Sequence, residues 1–347
     1  MNQYAAELRQ TAQAMVAPNQ GVLAMDESNG TCNKRFRKEG IQETEEMRRQ
    51  YRELILTTPD LGKYISGAIL YDETIRQKKE DGTPFTQVMR DNDVIIGIKV
   101  DKGAKDLAGH PGEKVTEGLD GLRDRIAEYY QMGARFAKWR AVITIGDGIP
   151  TRGCIEANAH ALARYAALCQ EGGLVPIVEP EVLIDGDHTI DRCYEVTDET
   201  LRTVFTELRT QNVAFDQMIL KPSMVISGKQ CPQQASPQEV AEKTIKCLRD
   251  NVPASVPGIA FLSGGQTPEQ AAEHLHLMNS EPLKSQCPWR VTFSYARAIQ
   301  QPALEHWKGQ ANNVKEAQKL LHHRAQCNSA ASMGSYSAEM EKQPAMA

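Results

Sequence analysis

The chain lacks the cysteine patterns that would cross-link it or hold a structural metal. Its 347 residues include eight cysteines, none of them in a Cys-x-x-Cys pair or a tight cluster. In a chain of this length, such spacing argues against a disulfide framework or a zinc knuckle and predicts reduced thiols. We therefore expect the fold to depend on a hydrophobic core, which 41% hydrophobic residues can supply.

A basic excess and a membrane-spanning segment are also missing. The formal net charge is −5, which argues against a nucleic-acid partner but leaves room for a local cationic pocket. No stretch approaches about 18 consecutive apolar residues, and the N-terminus has no apolar signal-peptide region. We therefore expect a soluble protein of the cytoplasm that has neither a nucleic-acid nor a membrane partner.

The first apolar run is not followed by a glycine-rich dinucleotide loop. An open, doubly wound sheet, the runner-up architecture, predicts Gly-x-Gly-x-x-Gly there, but residues 26–31 are Asp-Glu-Ser-Asn-Gly-Thr. Instead the chain has eight short, largely continuous apolar runs, typical of parallel strands buried on both faces. They span 21–26, 65–70, 94–100, 135–143, 174–183, 217–225, 258–265 and 289–296. Eight rounds of strand and helix predict an α/β fold, the TIM (β/α)8 barrel.

Helix-start signals lie between the predicted strands. Residues 236–239 and 267–270 each combine an N-cap hydroxyl, a proline at the first helical position and a Glu or Gln two residues later. An amphipathic pattern predicts a further helix at the N-terminus. We place a single barrel domain at 1–325 and predict a flexible C-terminal tail at 326–347, because that segment shifts to Ser, Ala, Met and Gly.

Lys221 follows the apolar run Met218–Leu220, a place where an unpaired charge would be unfavourable. One interpretation is a strand-end lysine whose ammonium group reaches solvent, which is a common structural role. The other is an amine held in its neutral form, which would be a nucleophile. The residue alone does not decide between the two interpretations.

The remaining strand ends favour a chemical role. The carboxyl ends of TIM-barrel strands share one rim, and every predicted strand except the second has a polar or charged residue late in its run. These residues are Asp26, Ser28, Lys99, Lys138, Arg140, Glu179, Glu181, Lys221, Ser263, Ser294 and Arg297, with Gly264 and Gly265 in one turn. Cations there suit phosphates, glycine N–H groups can approach an oxyanion, and carboxylates can move protons. Together they predict Schiff-base chemistry on a phosphorylated ketone.

Six segments resemble class I fructose-bisphosphate aldolases, and the resemblance extends from about residue 5 to 335. The segments are Leu23–Ser28, Gly97–Gly103, Phe136–Arg140, Val175–Glu181, Leu220–Pro222 and Phe261–Gln266. The resemblance implies reversible cleavage of fructose 1,6-bisphosphate in glycolysis, gluconeogenesis or the Calvin cycle. It also implies a homotetramer without metal or cofactor. Residues 62–70 are similar to cyanobacterial and plastid members, so the plastid stroma is an alternative location.

The resemblance also implies residue roles. Lys221 would form the Schiff base with the C2 carbonyl, and Glu179 would be the acid and base for imine formation and turnover. Asp26 would assist C3–C4 cleavage at the C4 hydroxyl, and Lys138 would balance charge and contact substrate. The predicted substrate-binding and phosphate-binding residues are Ser263, Gly264, Gly265, Ser294 and Arg297 at one phosphate, Ser28, Thr31, Arg35 and Lys99 near the other end, and Arg140 and Glu181.

Two features depart from the family pattern. Ala296 stands where the family usually has glycine between the tyrosine and the arginine of the last strand, although a backbone N–H contact to phosphate would survive the change. Relatives commonly end in a tyrosine that assists proton exchange at the enamine carbon, whereas this chain ends at 344–347 with Pro-Ala-Met-Ala. Its last tyrosine is Tyr336, to which we do not assign that role.

Three alternatives remain open at this point. A different Schiff-base barrel lyase, similar to transaldolase or deoxyribose-phosphate aldolase, would need its lysine in another strand context and only one phosphate site. A non-catalytic scaffold on the same barrel would be expected to lose the lysine or its carboxylates. A metal-dependent aldolase would need clustered histidines. The candidate pairs fall on predicted helices or turns away from the rim: His274 with His276, and His322 with His323.

Overall fold

The computed structural model describes residues 3–342 and has eight parallel strands surrounded by helices. The strands are β1 (Gly21–Ala24), β2 (Ile65–Leu70), β3 (Ile95–Lys99), β4 (Ala104–Asp106), β5 (Lys114–Thr116), β6 (Phe136–Ile143), β7 (Val175–Val182), β8 (Ile219–Leu220), β9 (Gly258–Phe261) and β10 (Arg290–Phe293). Strands β4 and β5 form a separate antiparallel hairpin that the sequence analysis did not predict. The main sheet has the order β1-β2-β3-β6-β7-β8-β9-β10, which confirms the predicted (β/α)8 fold.

The helices follow the strands in the alternation that the sequence predicts. They are α1 (Ala5–Met15), α2 (Asn29–Lys38), α3 (Glu45–Leu56), α4 (Asp72–Arg76), α5 (Phe85–Asp91), α6 (Leu122–Gln131), α7 (Arg152–Glu171), α8 (Ile190–Thr210), α9 (Pro237–Asn251), α10 (Pro268–Met278), α11 (Arg297–Trp307) and α12 (Val314–Ser332). Both predicted caps form: Ser236 accepts the N–H of Glu239, and Thr267 and Gln270 form a reciprocal capping box. Within residues 3–342, no helix combines the length and the apolar character needed to cross a lipid bilayer.

The barrel closes between its first and last strands. The backbone N–H of Ala24 donates to the carbonyl of Tyr295 at 2.9 Å, and the Thr292 hydroxyl donates to the Gln20 carbonyl at 2.7 Å. Closure joins the two outer strands of the eight-stranded sheet and directs the carboxyl ends of its strands to one mouth. Residues far apart in sequence can therefore meet there.

Helix α1 packs against the amino-terminal end of the barrel. Leu8, Ala12 and Met15 lie one helical turn apart and are fully buried. They belong to one apolar cluster with Phe136 and Val175, the first residues of β6 and β7. The interior of the barrel is therefore filled by side chains at this end.

Six of the eight barrel strands end earlier than the apolar runs predict, whereas β2 and β6 end at residues 70 and 143 as predicted. β8 contains only Ile219 and Leu220, so Lys221 is the first residue beyond it, and β9 and β10 end before 265 and 296. The physical reason is clearest after β9, where Gly264 and Gly265 adopt φ of +57° and +91°, outside the range of a strand. At these three strand ends Lys221, Ser263 and Ser294 therefore lie on the turns that follow the strands. Five other polar residues of the mouth lie within β3, β6 and β7: Lys99, Lys138, Arg140, Glu179 and Glu181.

Helix α12 corrects the predicted tail. It continues through residue 326 to Ser332, and Cys327, Asn328 and Ser329 are buried within it. The boundary at 325/326 is therefore wrong, because small residues that suggested a tail pack this helix against the barrel instead. Flexibility of the tail stays a prediction for the segment after Ser332, and residues 343–347 lie outside the described residues.

The packing of Gly97 against Phe136 provides a test of the barrel interior. A Cβ at Gly97 would lie 2.2 Å from ring carbons of Phe136, so Gly97→Ala should lower the free energy of unfolding by about 1–3 kcal/mol. Urea denaturation would measure the loss. Gly30→Ala is the control, because nothing lies within 4 Å of its added Cβ and alanine favours the helix there. Equal stability of the two variants would contradict this packing.

Candidate active site

A cavity of about 1510 Å³ opens at the mouth of the barrel. All fifteen residues predicted from the sequence line it: Asp26, Ser28, Thr31, Arg35, Lys99, Lys138, Arg140, Glu179, Glu181, Lys221, Ser263, Gly264, Gly265, Ser294 and Arg297. The structure thus brings them to one place, as expected for residues at the carboxyl ends of barrel strands. Their individual roles stay predictions.

Four charged side chains form a continuous row at the floor of the cavity. Lys138 Nζ lies 2.8 Å from Asp26 Oδ2 and 3.3 Å from Glu179 Oε2. Lys221 Nζ lies 3.3 Å from the other oxygen, Oε1, of Glu179. We call Asp26–Lys138–Glu179–Lys221 the buried charge row. Its side chains are 4–11% exposed, so each charge depends on its neighbours in place of water.

The row fixes the charge states of two members. Burial by itself would raise the pKa of Asp26, but Lys138 and Lys221 outweigh it and lower the pKa to about 2. Burial likewise opposes the charged form of Lys138, yet Asp26, Glu179 and Asp101 raise its pKa above the ordinary value. At neutral pH, Asp26 is therefore a carboxylate and Lys138 an ammonium ion.

Strand register places these side chains. In the β6–β7 ladder Arg140 lies opposite Glu179, and Lys138, two residues earlier, presents its side chain on the same face. The N–H of Lys221 donates to the carbonyl of Val178 at 2.8 Å, which holds Lys221 beside Glu179. Lys138 is 4% exposed, whereas Arg140 is 42% exposed and pairs with Glu181. The exposure of the side chains on this face of β6 therefore rises from the cavity floor to its mouth.

Asp101 organises two of the cavity's lysines, although the sequence analysis did not single it out. Lys99 Nζ donates to the Asp101 carbonyl at 2.8 Å and its carboxylate at 2.5 Å. The same carboxylate accepts the N–H of Arg140 at 3.3 Å and lies 3.9 Å from Lys138. Asp101 falls two residues beyond Lys99, and this spacing on one strand end was the signal that could have identified it.

Glu27 is a second carboxylate that the sequence analysis missed. It forms ion pairs with both Arg35 and Arg52, and the Arg52 side chain is only 2% exposed. Arg35 also donates to Gln300 at 3.0 Å. These contacts fix the Arg35 guanidinium at the cavity wall. The second ion pair, with the buried Arg52, holds the Glu27 carboxylate in position. Glu27 lies inside a recognised motif, but its partner Arg52 comes from α3, which no local pattern connects to it.

Helix α2 adds cations to the same wall. Ser28 is the N-cap of α2, and its hydroxyl oxygen lies 3.1 Å from the Thr31 hydroxyl oxygen. Beyond the predicted Arg35, Lys34 and Lys38 from this helix also line the cavity. They were not predicted because an exposed lysine on a helix carries no sequence signal of its own. Together these groups offer hydroxyl donors and positive charge to an anion.

The turn after β9 and the start of α11 form a second anion-receptive region, which we call the glycine corner. It consists of Ser263, Gly264, Gly265, Ser294 and Arg297, all of which line the cavity. The hydroxyl of Ser294 is buried and has no hydrogen-bond partner in the described structure. Within residues 3–342, Arg297 has no carboxylate at ion-pair distance, and the side-chain donors of both residues are therefore available to a ligand.

None of the histidines considered as metal ligands lines the cavity. Among the described residues, the one His/Cys/acid group with ligand atoms within 4.8 Å of one another is His323, Cys327 and Glu341. Glu341 is already paired with Arg324 and accepts a hydrogen bond from Tyr336 at 2.8 Å. A guanidinium at this carboxylate disfavours a cation there, and the cluster lies away from Lys221.

Comparison with known proteins places the chain among enzymes of one kind. The profile of the family "Fructose-bisphosphate aldolase class-I" matches residues 7–347. A protein of Xanthomonas campestris pv. campestris, named "Probable fructose-bisphosphate aldolase class 1", is 61% identical over 331 residues, covering 95% of this chain and 98% of the relative. The crystal structure of fructose-bisphosphate aldolase from Plasmodium falciparum with TRAP and an inhibitor superposes with a TM-score of 0.94 at 45% identity, covering 96% of both chains.

The expected likeness to plastid proteins is also confirmed. "Fructose-bisphosphate aldolase 3, chloroplastic" of Arabidopsis thaliana is 49% identical over 342 residues, covering 99% of this chain and 86% of the relative. Identity to the Xanthomonas protein is nevertheless higher. The family profile and these relatives span almost the whole chain. The chain belongs to the class I fructose-bisphosphate aldolase family.

Proposed function

We propose that the protein cleaves fructose 1,6-bisphosphate reversibly into dihydroxyacetone phosphate and glyceraldehyde 3-phosphate through a Schiff base on Lys221. The observation that carries the proposal is the position of Lys221. Its amine is buried at the cavity floor, 3.3 Å from the carboxylate of Glu179 and below anion-receptive walls. A nucleophile beside an acid–base group is the arrangement that covalent catalysis requires.

The first stage joins substrate to enzyme. The neutral Lys221 amine, whose ammonium proton Glu179 has accepted, attacks the C2 carbonyl carbon, and a C–N bond replaces the π bond of the carbonyl. The proton that the attacking nitrogen then loses passes to the carbonyl oxygen. Glu179 then supplies a second proton to that oxygen, which leaves as water while the nitrogen lone pair forms the iminium bond. Glu179 suits this exchange because one carboxylate oxygen faces Lys221 and the other faces Lys138.

The second stage breaks the C3–C4 bond. The Asp26 carboxylate accepts the proton of the C4 hydroxyl, the C4–O bond becomes a carbonyl, and the electron pair of the C3–C4 bond moves into the iminium to give an enamine. Glyceraldehyde 3-phosphate leaves, and protonation at C3 followed by hydrolysis releases dihydroxyacetone phosphate. Asp26 can act as a base because its pKa of about 2 keeps it ionised, and Lys138 holds it at 2.8 Å.

The two phosphate groups find separate partners in this proposal. β9 is the neighbour of β8, and the N–H of Leu262 donates to the Pro222 carbonyl at 3.1 Å, so the glycine corner adjoins Lys221. We assign to that corner the phosphate next to the imine carbon, which stays on dihydroxyacetone phosphate. Ser28 and Thr31 at the start of α2 and Arg35 in its last turn would receive the other phosphate, with Lys99, Arg140 and Glu181 along the chain of the sugar.

The same proposal includes a metal-independent reaction, a homotetramer and a cytoplasmic location, with the plastid stroma as the alternative. Support for metal independence comes from the class I family and from the chemistry that Lys221 provides in place of a metal. The bacterial and chloroplastic relatives support the two locations. The tetramer rests on the family resemblance, and light scattering of the purified protein would measure it.

Trapping the imine tests the proposal directly. Borohydride added with dihydroxyacetone phosphate should reduce the Schiff base and leave its mass on the peptide that contains Lys221. Lys221→Met should give no adduct and lower kcat by at least about a thousandfold, because no other amine replaces the nucleophile. Lys246→Met, an exposed change on α9, is the control and should keep both adduct and activity. An adduct on another lysine, or loss of activity in EDTA, would contradict the mechanism.

The charge of Asp26 gives a pH-dependent prediction. Its folded pKa of about 2 lies below that of the unfolded chain, so it stabilises the fold above about pH 4 and loses that effect as the pH falls through about 2. Carbon NMR of the labelled carboxyl, assigned with Asp26→Asn, should show ionised Asp26 at about pH 3. Lys138→Met should raise its pKa, because burial then acts against fewer cations. Lys246→Met should not change it, and an unchanged pKa in Lys138→Met would refute the assigned cause.

A further inference from the structure

We propose that Lys229 is a specificity-determining residue that strengthens binding of the phosphate held at the glycine corner. The inference rests on the proposed function, which places the phosphate of dihydroxyacetone phosphate at this corner. Lys229 lies in the segment after β8 and belongs to no motif identified in the sequence. It is not among the residues that line the cavity, but its ammonium group reaches the corner at Gly265.

Two cationic groups converge beside Gly265. A Cβ at this glycine would lie 2.6 Å from Lys229 Nζ and 3.4 Å from Arg297 Nη2. Both nitrogens therefore approach one point next to a residue whose missing side chain leaves the space free. Like charges so close repel each other, and an anion that contacts either of them is attracted by both. The pair thus favours a doubly charged phosphate over a neutral group.

Neither cation is neutralised by the protein. The carboxylate nearest to Lys229 among the described residues is Asp185, at 3.9 Å, the limit of an ion pair. Asp185 is 69% exposed, and a pair of that length at the surface contributes little. Arg297, as noted above, has no carboxylate at ion-pair distance within residues 3–342. The positive charge of the two groups is therefore available to a ligand.

The backbone holds Lys229 in place. Its N–H donates to the Ile184 carbonyl at 2.9 Å, and the N–H groups on either side, of Gly228 and Gln230, donate to His188 at 2.8 Å and Gly186 at 2.9 Å. A Cβ at Gly228 would lie 2.3 Å from the Gly186 carbonyl oxygen, so the two segments are in close contact. The backbone of Lys229 is therefore held in place, and its side chain, 39% exposed, extends from there to the glycine corner.

The expected effect is moderate and specific to one phosphate. A partly exposed charge near a phosphate should change the affinity about two- to fivefold, as other solvated ion pairs do. Lys229→Met in the full-length enzyme should raise KM for fructose 1,6-bisphosphate by this factor and leave kcat within about twofold. It should weaken product inhibition by dihydroxyacetone phosphate by the same factor and leave inhibition by glyceraldehyde 3-phosphate unchanged. Lys229→Arg should restore most of the affinity.

Lys319→Met is the matched control, because Lys319 is also 39% exposed but lies on α12, outside the site. Arg297→Met separates this inference from the proposed function. If Arg297→Met weakens inhibition by dihydroxyacetone phosphate and Lys229→Met does not, the role of Lys229 is refuted. The assignment of that phosphate to the glycine corner then stands. If neither variant changes the inhibition constant of dihydroxyacetone phosphate, the assignment of its phosphate to the glycine corner fails as well. A loss of kcat alone in Lys229→Met, with unchanged inhibition constants, would indicate a structural role and overturn the inference.

Discussion

Two lysines and two carboxylates share the floor of the barrel, and the need to pair their charges out of reach of water constrains the whole site. Each member of the buried charge row lies within 3.3 Å of an opposite charge, and none is more than 11% exposed. Breaking a buried pair leaves an uncompensated charge and typically destabilises a protein by about 3–5 kcal/mol. The strand register that aligns β6, β7 and the start of the turn after β8 is therefore a requirement of stability as well as of chemistry.

The row is not symmetrical, and this asymmetry supports the proposed difference between Lys221 as the nucleophile and Lys138 as a permanent ion. Lys138 has three carboxylates around it, Asp26, Glu179 and Asp101 at 3.9 Å or less. Lys221 has ion-pair contact with Glu179 alone among the described residues. In the proposed mechanism a proton passes from Lys221 to Glu179 and frees the amine, while Lys138 still faces the carboxylates of Asp26 and Asp101. In the same proposal the cations around the mouth bind the charged ends of a sugar bisphosphate.

The sequence was sufficient for the barrel, because eight apolar runs with helices between them allow few other folds, and for the residues at strand ends. It was insufficient for contacts between distant segments. Arg52 on α3 forms an ion pair with Glu27, and Lys229 approaches Gly265 from another loop. In the sequence, Arg52 and Lys229 both look like ordinary surface cations. At residues 326–332 the composition suggested a flexible tail, but the small residues there belong to helix α12. The tests with Lys221→Met and Lys138→Met depend on sequence-derived residues, whereas the test with Lys229→Met depends on the structure.

Rapid-quench borohydride trapping tests most directly whether Glu179 and Asp26, two members of the buried charge row, have separate roles. The rate of adduct formation with dihydroxyacetone phosphate would be compared in Glu179→Gln and Asp26→Asn, together with the rate of fructose 1,6-bisphosphate cleavage. We expect Glu179→Gln to slow adduct formation by about a hundredfold or more. We expect Asp26→Asn to slow cleavage by a similar factor while adduct formation stays within about threefold. Equal slowing of adduct formation in both variants would contradict separate roles for the two carboxylates.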